Sequence, residues 1–311
     1  MSASRSQVTV AFAALYVFWG STYLGSKFAM ASFPPALLSG IRFTIGGLAM
    51  AGLMALTGNF RASDFGRLRW WRNGAFAGAL LFAAANVLVS SGVQRIPSGV
   101  AALIVSVTSV WIVLFDRLIT RAGAPSWTIL LGLACGLGGV AILGTGDRAA
   151  AAGGLDTLGV AFAAASTLAW ATGTMVAKHS ERSPSLWAAS VMQMLGGGAA
   201  AFVVTAVLER DRWPSWDAVT PGSMWAIAYL VVFGSLLGFT AYVWLLNHVN
   251  AASVATYAYV NPLVALVLGA LLAGERVPAR VAFAAPLILG SVALMQFVRP
   301  PSKDEPPIEE E

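Results

Sequence analysis

From Val8 to Ser26 the chain reads VTVAFAALYVFWGSTYLGS, and no charged side chain interrupts it before Lys27. About 20 apolar residues in a helix cross the hydrocarbon of a bilayer once. The run is longer than the core of a leader peptide, and Lys27 stands where a small-residue cleavage site would be, so it reads as a retained first helix. Comparable runs recur at roughly 36–57, 73–93, 98–119, 126–145, 155–177, 185–208, 223–246, 252–274 and 279–298. Breaks such as Pro34-Pro35, Arg95-Ile96-Pro97 and the polar stretch from Lys178 to Pro184 separate them. The runs lack period-two alternation and are about twice the length of a membrane strand, which argues against a barrel. Helices satisfy their backbone groups internally. The expected fold is an all-α integral membrane protein with ten transmembrane helices.

Composition agrees. Of 311 residues, 58% are apolar and only 11% are charged, with a mean hydropathy of +0.74. A soluble domain carries about a quarter charged residues, so a soluble enzyme is excluded in practice. One cysteine, Cys135, allows no internal disulfide and reads as a packing residue. The net charge of +5 has a simpler source than nucleic acid: Lys and Arg fix the orientation of membrane loops. They gather in the loops that would be cytoplasmic if the N-terminus is inside, above all Arg61, Arg67, Arg69 and Arg72. Both termini are therefore expected in the cytoplasm of an inner-membrane protein. The tail, residues 299–311, is Pro-rich and acidic and reads as disordered.

The chain also repeats itself at an offset of about 152 residues. Lys27 aligns with Lys178, Trp19 with Trp170, Pro97 to Ala101 with Asn250 to Val254, and Gly138 to Ala141 with Gly290 to Ala293. A unit of five helices is odd, so its second copy enters the membrane from the opposite face. The expected domains are 1–146 and 155–298, two inverted repeats with a substrate site between them near mid-membrane.

Particular residues point further. The first helix reads LYVFWGSTYLGSKFAM (15–30) and is followed by PPALLSGIRF (34–43); the ninth reads ATYAYVNPLVALVLGALLAGERV (255–277), and the tenth ends in LILGSVALM (287–295). These resemble the EamA family of the drug/metabolite transporter superfamily over nearly the whole chain. The resemblance implies a ten-helix carrier of two five-helix repeats, with amino acids or other metabolites exported by many members. The first repeat departs from the pattern, having Ser109 opposite Pro262 and no Glu opposite Glu275.

No motif for hydrolysis, nucleotide binding or metal ligation is present, and no cofactor is expected. The polar and aromatic residues within spans are the candidates for a substrate cavity: Trp19, Ser21, Thr22 and Tyr23 on the first helix, Asn86 and Ser90 on the third. On the second repeat they are Trp170 and Thr174, Phe239 and Tyr242, and Thr256, Tyr257 and Asn261. Amides in lipid would be unpaired, and mid-span Trp and Tyr suit an amphipathic pocket. The competing reading is that the same groups glue helices or join the interfacial belt. Pro262 frees a backbone carbonyl and is a kink or gate candidate. Arg42 lies inside the second span. It is either a contact for a substrate carboxylate or, the preferred reading, a side chain that snorkels toward the outer boundary or bonds carbonyls of a neighbouring helix end. Lys27 and Lys178 read as helix-end anchors with no evident acid partner. The carboxylates all fall in loops or at span margins, which favours a facilitator or exchanger without proton coupling.

The expected partners are a small-molecule substrate and membrane lipid, with no nucleic acid. The glycine pairs Gly74/Gly78, Gly132/Gly136 and Gly234/Gly238 read as internal seams, and Gly132 to Gly139 is the face a homodimer would use. A multidrug exporter is the alternative cargo reading, a channel the alternative transport mode, and a membrane-embedded enzyme on lipid-like substrates the alternative class.

Overall fold

The computed structural model describes residues 4–121, 127–144, 155–249, 254 and 256–297. Among them lie ten helical rods: α1 Arg5–Ala29, α2 Pro35–Leu56, α3 Leu68–Val93, α4 Ser98–Thr120, α5 Trp127–Gly144, α6 Thr157–His179 and α7 Leu186–Leu208. The last three are α8, which runs from Pro221–Tyr229 into Gly238–His248, α9 Tyr257–Ala273 and α10 Val281–Phe297. Seven are long and apolar enough to cross a membrane, while α5, α9 and α10 are shorter apolar helices. The tail expected to be disordered and the loop around Asp147 lie outside the described residues.

Local signals set the helix ends. Ser4 caps α1 in a reciprocal box with Gln7, Pro35 opens α2, and Asp156 accepts the Leu158 and Gly159 N–H groups at the start of α6. Arg121 closes α4 and Gly274 closes α9, both in the left-handed region (φ 52° and 59°). They occupy equivalent places in the two halves, and only the second holds the glycine that this conformation favours.

Packing follows the repeat. Two pairs set a helix against its own counterpart, α2 on α7 and α5 on α10, and α3 packs extensively on both α6 and α7. Other pairs come in matched sets: α3 on α6 mirrors α8 on α1, and α1 on α9 mirrors α6 on α4. This is the pattern of an inverted two-fold. Glycines set the closest approaches: Gly78 lies against the Gln193 carbonyl, and a Cβ on Gly197 would stand 2.6 Å from the Gly78 oxygen. The fifth-helix glycines are used inside the chain, since Gly136 faces Ser291 and Gly139 faces Ile288 of α10. Gly138 of the same stripe has nothing within 4 Å of a built Cβ.

Two irregularities occur at equivalent positions. Both α3 and α8 carry a wide π-helical turn, at Ala79–Ala84 and Leu230–Leu237. At the exits, the Ala85 N–H bonds the Leu80 carbonyl and the Gly238 N–H bonds that of Phe233. The change back to i→i−4 bonding then leaves the next carbonyl, Leu81 or Gly234, without a helical donor. Such turns gather at functional sites.

Candidate functional site

The freed carbonyl of α8 is where the candidate site is built. Trp19 of α1 donates its indole N–H to the Gly234 oxygen at 3.1 Å. On α3 the equivalent carbonyl, Leu81, accepts from Asn86 Nδ2 of its own helix at 2.9 Å. A carbonyl that would otherwise be unpaired is thus satisfied in both halves, once across helices and once locally. The Trp19 ring is surrounded by aromatics of the second half: Tyr257 edge-on at 5.1 Å between centroids, Tyr242 at 5.2 Å and Phe239 at 6.4 Å. Gly238 is flush with the indole, and a Cβ there would approach it to 2.7 Å. The Gly234/Gly238 pair is therefore the internal helix seam expected, against α1 and α2, and also a wall of this site.

Arg42 reaches the same turn. It is 8% exposed, and its Nε donates to Ser235 Oγ at 3.1 Å. The guanidinium also lies over the Phe43 ring at 4.9 Å. The preferred reading of an outward snorkel is overturned: a glycine at 234 leaves room for the head group in the interior. Gly234 would otherwise place a Cβ 2.8 Å from the Arg42 terminal nitrogen.

The α1–α9 seam continues the site. Tyr16 and Thr256 share a hydrogen bond of 2.5 Å. The Asn261 amide, with its nitrogen turned inward, donates to the carbonyls of Tyr16 (3.2 Å) and Tyr257 (3.3 Å). Pro262 stands in the second turn of α9 as described, not at mid-helix. Several other candidate hydroxyls bond their own helix: Thr22 to the Trp19 carbonyl, Thr174 to that of Trp170, and Ser21 to Phe18, with a further bond to Tyr229 at 2.6 Å. Ser90 is buried, and Tyr23 packs toward the α4–α5–α10 core. Trp170 does not join Trp19; it meets Phe82 edge-on at 6.1 Å, in a cluster whose margin Phe239 also lines. Tyr16, Tyr229 and Ser235 were not singled out from sequence. Tyr16 was within reach, lying about one helical turn before Trp19.

The helix-end lysines are not idle anchors. At the end of the bundle where α1 finishes, Lys27 pairs with Glu275 at 2.6 Å. The other carboxylate oxygen accepts the N–H and hydroxyl of Ser98 at the start of α4, both at 2.8 Å. Gly274 makes this geometry by turning the chain back, and Gly269 leaves room for the carboxylate. At the opposite end Lys178 pairs with Asp116 at 2.6 Å, with His179 at 3.0 Å. Each pair joins one half to the other. They differ in exposure: the Glu275 side chain is 4% exposed and that of Asp116 30%. Beside the second pair a cleft of about 480 Å³ opens between α4 and α6, lined by Phe115, Ile119, Met175 and His179.

Burial pushes the Glu275 carboxyl up, but hydrogen bonds from Lys27 and Ser98 outweigh it and hold the group below the ordinary range. A lowered folded pKa means that its stabilisation is present above the unfolded value, about 4.3, and fades as pH falls through the folded one. Glu275→Gln is expected to lower the melting temperature at pH 7 and to flatten the loss of stability on acidification below about pH 4.5. Parallel melting curves for variant and parent across that range would refute the assignment.

The fold is a multi-pass helical bundle of two repeats with a polar and aromatic centre where they meet. The chain belongs to the EamA-like transporter family, whose model matches residues 8–145 and again 157–297. It is a transporter and not an enzyme. It is 29% identical over 264 residues to the protein described as uncharacterized inner membrane transporter YedA of Escherichia coli (strain K12), covering 84% of this chain and 81% of that one. It is 26% identical over 294 residues to the uncharacterized transporter YvbV of Bacillus subtilis (strain 168), covering 94% and 92%. A crystal structure 22% identical in sequence superposes with a TM-score of 0.61, over 94% of this chain and 96% of that one.

Proposed function

We propose that the chain is an inner-membrane carrier that exports or facilitates passage of small amphipathic metabolites, amino acids first, by alternating access between its halves. The carrying observation is that α1 of the first half meets α8 and α9 of the second at one irregular turn. Ring and polar contacts there converge from both repeats. Cross-half ion pairs of unequal exposure at the two ends suit a machine that opens one end at a time. On this reading Trp19, Tyr242, Tyr257, Phe239 and Asn261 line the path, the halves divide at 146 and 155, and both termini are cytoplasmic. The acids nearest the spans are already paired with cations, which favours exchange without proton coupling.

The test is counterflow in liposomes with a panel of labelled amino acids and lipophilic dyes. Accelerated exchange of at least one amino acid is expected. Exchange of dyes alone would transfer the reading to a multidrug carrier, and passive leak without counterflow would make it a channel. Single cysteines in the same preparation check topology: a probe near Arg67 is expected to resist labelling from outside and one near Arg148 to accept it, and the reverse pattern would invert the orientation.

A further inference from the structure

Arg42 is a buried cation with no buried anion to match it among the described residues. Among the described residues no carboxylate lies within ion-pair distance of it, and the acids have other work. Glu275 holds Lys27, Asp116 holds Lys178 and His179, Asp156 holds Arg95, and Glu181 holds Arg67 and Arg69. Glu209, also buried, accepts the Ala36 and Leu37 N–H groups at the start of α2. A guanidinium has five N–H donors in a planar fork and never loses its proton. Only the Nε donor of Arg42 is engaged, by Ser235. The two terminal nitrogens, the ones that grip a carboxylate in bidentate fashion, bond no acceptor among the described residues. An uncompensated charge in a membrane interior is costly and marks a function by default.

The surroundings of that fork are specific. One terminal nitrogen lies against Gly234, close to the Thr22 methyl, and the Gly234 carbonyl oxygen is held by Trp19. A bound molecule at the fork therefore lies one residue from the ring cluster of Trp19, Tyr242 and Tyr257. We propose that Arg42 is the charge-recognition element of this site and that the cargo carries a carboxylate, its apolar portion resting on the ring cluster. An ammonium on the same molecule is tolerated, because aromatic faces attract cations. A cargo with only a positive charge is disfavoured by the unneutralised guanidinium. The inference rests on the carrier reading and sharpens it: zwitterionic and anionic metabolites are accepted, and lipophilic cations are not.

The test uses the full chain in detergent, with thermal unfolding as readout and matched probes: L-phenylalanine, 3-phenylpropionate, L-phenylalaninamide and phenethylamine. The two carboxylates are expected to raise the melting temperature and the other two to leave it unchanged. Arg42→Gln is expected to weaken the carboxylate response by roughly 10- to 100-fold in apparent affinity, the usual range for loss of a charge-assisted hydrogen-bond pair; Arg42→Lys keeps part of it. Should Arg42→Gln not fold, Gly234→Ala puts a methyl beside the fork and is expected to blunt the same response with Arg42 intact. A response to the amine or amide equal to that of the acids, an acid response that survives Arg42→Gln or Gly234→Ala, or no response to either acid overturns the proposal. Counterflow of the same probes separates the two readings. Phenethylamine exchanged in place of the acids sinks the role of Arg42 and leaves the carrier. Acid-selective stabilisation without any counterflow sinks the carrier and leaves the anion site.

Discussion

Trp19→Ala is expected to reduce exchange by about 30- to 100-fold while leaving most of the protein folded. The indole touches three rings, each pair contributing about 0.5–1.5 kcal/mol beyond burial, and its N–H satisfies the freed Gly234 carbonyl. Because Trp19 is only half-buried, less is lost in stability than at a sealed core tryptophan. Trp19→Phe separates the two contributions, since it keeps a ring and deletes the donor. It is expected to fall between the parent and the alanine variant in exchange rate. The measurement is counterflow normalised to monodisperse protein, with Trp170→Ala beside it. Normal kinetics in Trp19→Ala would remove this residue from the path.

The second large effect is on folding. Gly78 faces the backbone carbonyl of Gln193, and an added Cβ would overlap it. Backbone cannot step aside as the end of a side chain can, so α3 and α7 would have to part along their contact. Gly78→Ala is expected to cost about 3 kcal/mol or more and Gly78→Leu to abolish folded protein. Gly52 on α2 is the control, with nothing within 4 Å of a built Cβ. Gly52→Ala is expected to be neutral or to stabilise by up to about 1 kcal/mol. Size-exclusion profiles and melting temperatures in one detergent decide it, and a well-behaved Gly78→Leu would refute the close packing.

The helices could be read from sequence because lipid imposes a one-dimensional rule. A run such as 36–57 must be long, apolar and helical whatever it packs against. The repeat was readable for a similar reason, since duplicated elements keep their spacing. What required three dimensions was everything that joins distant positions. Lys27 and Glu275 are 248 residues apart, and neither residue announces the other. The direction of Arg42 depends on a glycine of another helix, and so sequence position alone favoured the wrong side. The wide turns were invisible because ALLFAA and LVVFGSLL have the composition of any regular membrane helix. Of the candidate residues, the aromatic ones around Trp19 came together, while Thr22 and Thr174 turned their hydroxyls onto their own backbones.

The wide turn of α8 also makes the site a matter of helical phase. A π-helical turn accommodates one residue more than a regular helix over the same length, and each residue of an α-helix advances the azimuth by about 100°. Everything beyond Leu237, including Gly238, Phe239 and Tyr242, therefore faces Trp19 only because that surplus residue is there. A lineage of such chains is free to lengthen or shorten its connecting loops without disturbing this centre. A single residue lost or gained between Leu230 and Leu237 would turn the whole aromatic wall away from the first half, with the hydropathy of the span unchanged.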